Sequence, residues 1–221
     1  MVDLVVVTYN TLSYLRELCK DIKTYTKDYI LYVVDNNSAD GTKEFLAQGG
    51  TEFCLPICLR KNEGYSAACN KGASLGNSEY ICFMNSDLKL APNWLDGMLD
   101  DMKKNNWVAI GPILLDEYGH PFTEKPNWLS GACLLIKREV FNAIGGFDEN
   151  YFMYYEDDDI CMKMKKEGYE FGRAGVGITH LYNKSPKVGD SRVENLNKSK
   201  TYFDKKWKDE NGNNLSIARE N

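Results

Sequence analysis

The chain has 221 residues, 43% of them hydrophobic, enough for a substantial core in one domain, or in one domain with a small appendage. Its formal charge of -5 and pI near 5.2 argue against general polyanion binding, so no general nucleic-acid binding is expected. No apolar run approaches the roughly 20 residues of a membrane helix, and Val2-Asp3-Leu4-Val5 follows no basic leader, so the chain reads as cytoplasmic, without a transmembrane segment.

In chain order, Leu4 to Thr8 is a continuous apolar strand, and Leu12, Leu15, Cys19 and Ile22 then recur at helical spacing, making a βα unit. Tyr29 to Val34 predicts a second strand and Asp40-Gly41-Thr42 the start of a short helix. Phe53 to Leu59 predicts a third strand, Ser66 to Leu75 a helix rich in small residues, and Tyr80 to Met84 a fourth strand. Four parallel strands with their crossovers thus fit in the first 84 residues. Pro92 suits a helix start, and Trp94, Leu95, Met98, Leu99 and Met102 form an amphipathic stripe behind it. Val108 to Leu115 and Gly131 to Lys137 predict further strands, separated by a polar loop from Asp116 to Asn127. Asp157 to Glu167 predicts a helix ending at Gly168. Beyond His180 the chain turns polar, with a weak stripe of Leu196, Phe203 and Trp207 suited to a docked helix. The alternation implies the α/β class, with a domain over residues 1–180 and a polar extension over 181–221.

Seven cysteines, five of them (Cys19, Cys69, Cys82, Cys133, Cys161) inside apolar patterns, read as packed thiols in a reducing compartment. Cys54 and Cys58 lie on one strand face about 13 Å apart, too far for a disulfide. With only His120 and His180 available, a structural zinc site is not expected.

Each strand of the first half ends in polar residues. Thr8-Tyr9-Asn10 follows the first, Asp35-Asn36-Asn37-Ser38 the second, Arg60-Lys61-Asn62-Glu63-Gly64 the third and Asn85-Ser86-Asp87 the fourth. Open α/β sheets bind ligands at the carboxyl ends of their strands, so these ends are expected to converge on a nucleotide site, although each alone is equally a turn or helix cap. A second acidic cluster, Glu156-Asp157-Asp158-Asp159, follows the aromatic stretch Tyr151 to Tyr155. The two clusters suggest a divalent metal and a base serving one reaction.

Val5-Val6-Val7-Thr8-Tyr9-Asn10, Val34 to Thr42, Asn62 to Gly72, Asn85-Ser86-Asp87 and Tyr155 to Asp159 form an ordered set. The set resembles the successive motifs of family 2 glycosyltransferases of the GT-A fold, in the non-processive, rhamnosyltransferase-like branch. The resemblance runs from Val2 to His180. It implies a Rossmann-like, mostly parallel central sheet with helices on both faces, a nucleotide-binding half over 1–87 and an acceptor and catalytic half over 88–180. It further implies inverting transfer of one sugar from a UDP- or dTDP-type nucleotide diphosphate donor, with Mn2+ or Mg2+. The acceptor would be a glycan, a lipid-linked glycan or another hydroxyl compound.

On that resemblance Thr8, Tyr9 and Asn10 border the base and ribose, and Asp35 accepts a hydrogen bond from the pyrimidine or ribose. Asn62 and Gly64 close over the nucleotide. Asn85, Ser86 and Asp87 occupy the family's D-x-D position, with Asn first, and Asp87 holds the metal. His180 is a further candidate ligand, or a packed histidine at a strand end. Asp157 is the base, and an inverting transfer needs only one. Glu156, Tyr155 and Trp128 face the acceptor, and Gly131 keeps the backbone close to the donor. Alternative readings remain for several: Trp128 as a core aromatic, Asp158 as helix-dipole charge, Asp159 as a cap or salt-bridge partner. Gly145-Gly146 would allow a loop that orders on donor binding. Two other classes stand beside this reading. A sugar-nucleotide nucleotidyltransferase needs a glycine-rich basic loop after the first strand, where Thr8-Tyr9-Asn10-Thr11 stands. A non-catalytic nucleotide-sugar or glycan-binding module does not need both Asp87 and Asp157.

Overall fold

A computed structural model describes residues 1–49, 54–122, 128–181 and 191–208. Phe53, the end of the loop to Asn127, and residues 182–190 and 209–221 of the extension lie outside the described residues. The elements are β1 (Val2–Thr8), α1 (Leu12–Tyr25), β2 (Tyr29–Asp35), α2 (Thr42–Ala47), β3 (Cys54–Cys58), α3 (Tyr65–Ala73), β4 (Tyr80–Asn85) and β5 (Leu88–Lys89). They continue with α4 (Trp94–Lys104), β6 (Ala109–Leu115), β7 (Cys133–Lys137), α5 (Arg138–Ala143), α6 (Glu156–Lys166), β8 (Phe171–His180) and α7 (Ser191–Lys206).

One eight-stranded sheet runs in the order β3-β2-β1-β4-β7-β6-β8-β5. Its first four strands are parallel, as expected. The second half is mixed: β7 is antiparallel to both β4 and β6, β6 and β8 are parallel, and β5 is antiparallel to β8. β1 is buried along its whole length, and its alternating residues feed two cores. Val2, Leu4 and Val6 pack with Leu15, Leu18, Cys19 and Ile22 of α1 and Trp94, Met98 and Met102 of α4. Val5 and Val7 face the opposite side, where α3, α5, α6 and α7 contribute Ala68, Phe141, Ile160, Met164 and Phe203.

Two expectations are corrected. Pro92 lies in the turn ahead of α4, which begins at Trp94 behind a left-handed Asn93. α7 does dock, through Phe203 and Trp207, but Leu196 is exposed and does not belong to the buried stripe. Gly145-Gly146 closes α5: both have positive φ, and the Gly146 N–H returns to the Phe141 carbonyl. The strand β8 was unassigned from sequence, apart from His180 at its end, because Gly172, Gly175 and Gly177 interrupt the pattern of strand formers. A Cβ at Gly172 would lie 2.4 Å from the Trp107 ring, and one at Gly177 2.8 Å from Leu115, so these positions admit no side chain without displacement of a neighbour.

A buried charge pair closes the amino-terminal end of the sheet. Asp3 is fully buried and accepts hydrogen bonds from the Ser78 N–H and hydroxyl, and from Arg138 at 2.5 Å. Arg138 also donates to the carbonyls of Ser78 and Ala73, joining β1, the α3–β4 turn and the start of α5. Replacing Arg138 by Met strands the Asp3 carboxylate and is expected to cost about 3 kcal/mol. A urea midpoint lowered at unchanged slope checks this, and combining Asp3→Asn with Arg138→Met should recover part of the loss.

Candidate active site

The carboxyl ends of β1 and β2 are stitched together by the polar residues that follow them. The Thr8 hydroxyl bonds to that of Thr11 at 2.8 Å, and Thr11 to Ser86 at 2.7 Å, a buried chain from β1 to the end of β4. The Asn10 N–H donates to the Ser38 hydroxyl at 2.8 Å, and the Asn10 side-chain oxygen accepts from the Ala39 N–H at 2.7 Å. These side-chain bonds of Thr8, Asn10 and Ser86 run to neighbouring loops, while Tyr9 is partly exposed. Asp35 is fully buried. One oxygen accepts the Ser38 N–H at 3.0 Å, and the other meets no hydrogen-bond partner among the described residues. A buried carboxylate oxygen left this way is costly unless something else supplies a donor.

Asn36, given no role in the sequence reading, carries the next link. It donates to the Gly64 carbonyl at 3.0 Å and accepts from the Glu63 N–H at 2.8 Å, tying the end of β2 to the loop before α3. Asn62 closes that loop on itself, accepting from the Gly64 N–H at 3.0 Å. Gly64 has φ +87°, and a Cβ there would lie 2.5 Å from the Phe152 carbonyl oxygen. The close approach that requires glycine is therefore to the backbone of Phe152, which accepts the Tyr65 N–H at 2.7 Å.

The antiparallel β4–β7 pair places the start of β7 beside the end of β4, with the Asn85 N–H donating to the Ala132 carbonyl. Gly131 is thereby set at the carboxyl edge, where it meets the first turn of α6. The Asp157 carboxylate accepts the Gly131 N–H at 3.2 Å, and the Tyr65 hydroxyl donates to the Gly131 carbonyl at 2.5 Å. A Cβ at Gly131 would touch the Asp157 Cβ, the Tyr65 ring and a Glu156 oxygen, at 3.4 to 3.7 Å. Tyr65 lies inside the Asn62 to Gly72 motif without an assigned function; its position next to Gly64 was the available signal. Trp128 is half-buried against the core, and its carbonyl accepts from Arg173 at 3.5 Å. The Tyr155 ring packs on Phe203, with centroids 5.3 Å apart.

On the β4 side of the same edge, Asp87 and His180 face each other. β5 pairs Leu88 with His180, and the histidine Nε2 lies 3.2 Å from Asp87 Oδ1 and 3.4 Å from the Asn85 amide nitrogen. Both residues are more than nine-tenths buried. Among the described residues no group of three or more His, Cys, Asp and Glu is arranged to hold a metal ion by itself. A carboxylate oxygen and an imidazole fit a Mn2+ or Mg2+ ion that takes its remaining ligands from phosphate oxygens and water.

All four acids of α6 lie in its first turn, and three lysines in its last, in line with the helix dipole. They differ in surroundings. Asp159 is fully buried and bonded to Trp207 and Lys206, a salt-bridge partner as one reading expected. Glu156 is pushed well above the ordinary carboxylate range, first by burial and then by the charge of Asp157, and its Oε2 meets no hydrogen-bond partner among the described residues. A carboxyl raised in the fold contributes stability that is full below its unfolded value of about 4.3 and is lost as pH rises through the folded value. Glu156→Gln should therefore unfold near the wild-type temperature at about pH 4 and above it at about pH 8. Thermal unfolding across that range checks the sign.

Residues 3–165 match the family described as Glycosyl transferase family 2. The chain is 27% identical to the N-acetylglucosaminyl-diphospho-decaprenol L-rhamnosyltransferase of Mycobacterium tuberculosis, over 76% of this chain and 72% of that protein. It is also 27% identical to the dTDP-rhamnosyl transferase RfbF of Shigella flexneri, over 74% of this chain and 63% of that one. The fold superposes on the crystal structure of GalNAc-T7 with UDP, GalNAc and Mn2+, with a TM-score of 0.73 at 18% identity, covering 92% of this chain and 48% of that one. The chain thus spans less than two thirds of the last two proteins. With its ordered motifs gathered on one sheet edge of a GT-A fold, the chain belongs to glycosyl transferase family 2.

Proposed function

We propose that this glycosyltransferase moves a sugar from a UDP- or dTDP-type donor to an acceptor hydroxyl with inversion at the anomeric carbon. The observation that carries the reading is the shared edge: the strand ends bearing Asp35, Asn85 and Asp87 lie on the edge where β7 begins, Asn85 bonds the Ala132 carbonyl there, and the Gly131 N–H is held by Asp157. The open Asp35 oxygen suits an N–H donor of a pyrimidine base or a ribose hydroxyl. Thr8, Tyr9, Asn10, Asn62 and Gly64 shape the walls beside it, so residues 1–87 form the donor half. Asp87 and His180 would hold Mn2+ or Mg2+, which when bound supplies positive charge to the diphosphate. His180 comes from the second half, so the metal site joins both.

In the transfer the acceptor oxygen forms a bond to the anomeric carbon as the bond to the diphosphate oxygen breaks, and the nucleoside diphosphate leaves with that electron pair. The acceptor proton passes to the Asp157 carboxylate. Glu156, buried beside it and favouring its protonated form, can donate a hydrogen bond to an acceptor oxygen. Trp128 and Tyr155 flank this end. The relative from Mycobacterium tuberculosis is named for a diphospho-decaprenol acceptor, which supports a lipid-linked glycan here. None of the seven cysteines is joined in a disulfide, which supports a reducing, cytoplasmic setting. Among the described residues no helix is long and apolar enough to cross a membrane.

The test is nucleotide release and sugar transfer across a panel of UDP- and dTDP-sugars with Mn2+; no turnover of any donor would overturn the reading. Asp157→Asn should lower transfer by roughly 10² to 10⁴-fold, with nucleotide affinity and melting temperature near wild type. Asp158→Asn is the control and should retain transfer. Asp87→Ala should abolish the Mn2+ dependence of UDP or dTDP binding in calorimetry, and an unchanged metal dependence would remove Asp87 from the site.

A further inference from the structure

α7 lies beyond the stretch that matches the family, and together with the Trp207 that follows it, it contacts residues on both sides of the Glu156-Asp157 turn. The Ser199 hydroxyl donates to the Met153 carbonyl at 2.8 Å. The Arg192 guanidinium sits over the Tyr154 ring at 5.9 Å, and Phe203 packs on Tyr155. Lys206 bridges Asp148 at 2.6 Å and Asp159 at 2.8 Å, and the Trp207 indole N–H donates to Asp159 at 2.8 Å. Tyr202 donates to Asp148 at 3.0 Å. Burial alone would raise the Asp148 carboxyl, but Lys206 and Asn150 hold it down to about 2.

The segment so gripped is strained. Tyr154 and Tyr155 both have left-handed backbones, with φ of 70° and 68°, which bulky residues adopt only where their surroundings enforce it. They are the last two residues before Glu156. A relaxation at either would swing the first turn of α6 and separate Asp157 from the Gly131 N–H. The grip on both sides of the tyrosines, at Met153 and at Asp159, comes from α7 and the Trp207 that follows it.

We propose that α7 positions the catalytic turn: Ser199, Lys206 and Trp207 hold Tyr154 and Tyr155 in the left-handed conformation that presents Glu156 and Asp157. These are positioning residues, since their contacts run through Met153, Asp148 and Asp159 rather than to a reacting atom. The consequence for rate takes Asp157 as the base, as argued above; the mechanical link does not.

The test uses the full chain with Trp207→Phe, which keeps an aromatic ring but removes the donor to Asp159, and Ser199→Ala, which removes the donor to Met153. Hydrogen exchange reads the link. Faster exchange of the amides from Met153 to Asp159, with those of β1 and α4 unchanged, is expected, and a gain confined to α7 overturns the proposal. Turnover of the best UDP- or dTDP-sugar, measured well below each variant's melting temperature, reads the consequence. The expected result is a kcat lowered roughly 10 to 100-fold at unchanged KM for donor and unchanged affinity for UDP or dTDP. Wild-type kcat in a variant that merely melts earlier would make α7 a stabilising appendage and overturn the proposal. Wild-type protein that turns over no donor, with the exchange link intact, would sink the glycosyl-transfer reading and leave the mechanical link standing.

Discussion

The antiparallel pairing of β7 with β4 is the constraint on which the site depends. Four parallel strands deliver their polar ends to one edge, but a parallel β7 would have sent its amino-terminal residues to the opposite edge of the sheet. By running the other way, β7 brings Gly131 beside Asn85, and the Asn85 bond to the Ala132 carbonyl sets the spacing. α6 then needs only its first turn to reach the same place, through the bond between Asp157 and the Gly131 N–H. Nucleotide-type residues and the acidic turn meet because one strand pair changes direction.

The sheet tolerates this because its interior is apolar on both faces, while polar groups are confined to its two ends. At the amino-terminal end a fully buried Asp3 is neutralised by Arg138 and saturated by Ser78, a local network with no polar oxygen left over. The carboxyl end differs. There one oxygen of Asp35 and one of Glu156 are buried without a hydrogen-bond partner among the described residues. Buried polar groups are satisfied almost everywhere in folded proteins, so the contrast between the two ends separates a structural network from a site organised around something else. Within α6, Trp207, Lys206 and Tyr151 all meet Asp159 at Oδ1, and the Lys163 ammonium stands 3.6 Å from its Oδ2.

Much of the fold was legible before any coordinate. β1, β2 and β4 are runs of Val, Ile, Leu and Phe bounded by polar turns, and buried parallel strands demand that pattern. The amphipathic stripes of α1 and α4 were equally plain. β8 was not, because three glycines, two of them set by the close approach of Trp107 and Leu115, removed the β-branched signal. Leu196 was misplaced because a stripe of three apolar residues in a polar helix has no unique face, and contact with Asp148 and Asp159 selects the one carrying Phe203 and Trp207.

At the site, residue types and order were written in the chain: polar turns after each early strand, Asp87 closing one run and Asp157 opening a helix. These follow from short-range chemistry, in which strand ends need turn formers and helix starts favour acids. Partnerships were not. That the Thr8 and Ser86 hydroxyls belong to one internal chain, that Gly64 makes room for Phe152, and that His180 meets Asp87 are contacts across 75, 88 and 93 positions of sequence or more, counted from the residue numbers. Local preference carries no information about such contacts. They are set by strand order and direction, which emerge only when the two faces of the sheet are packed at once.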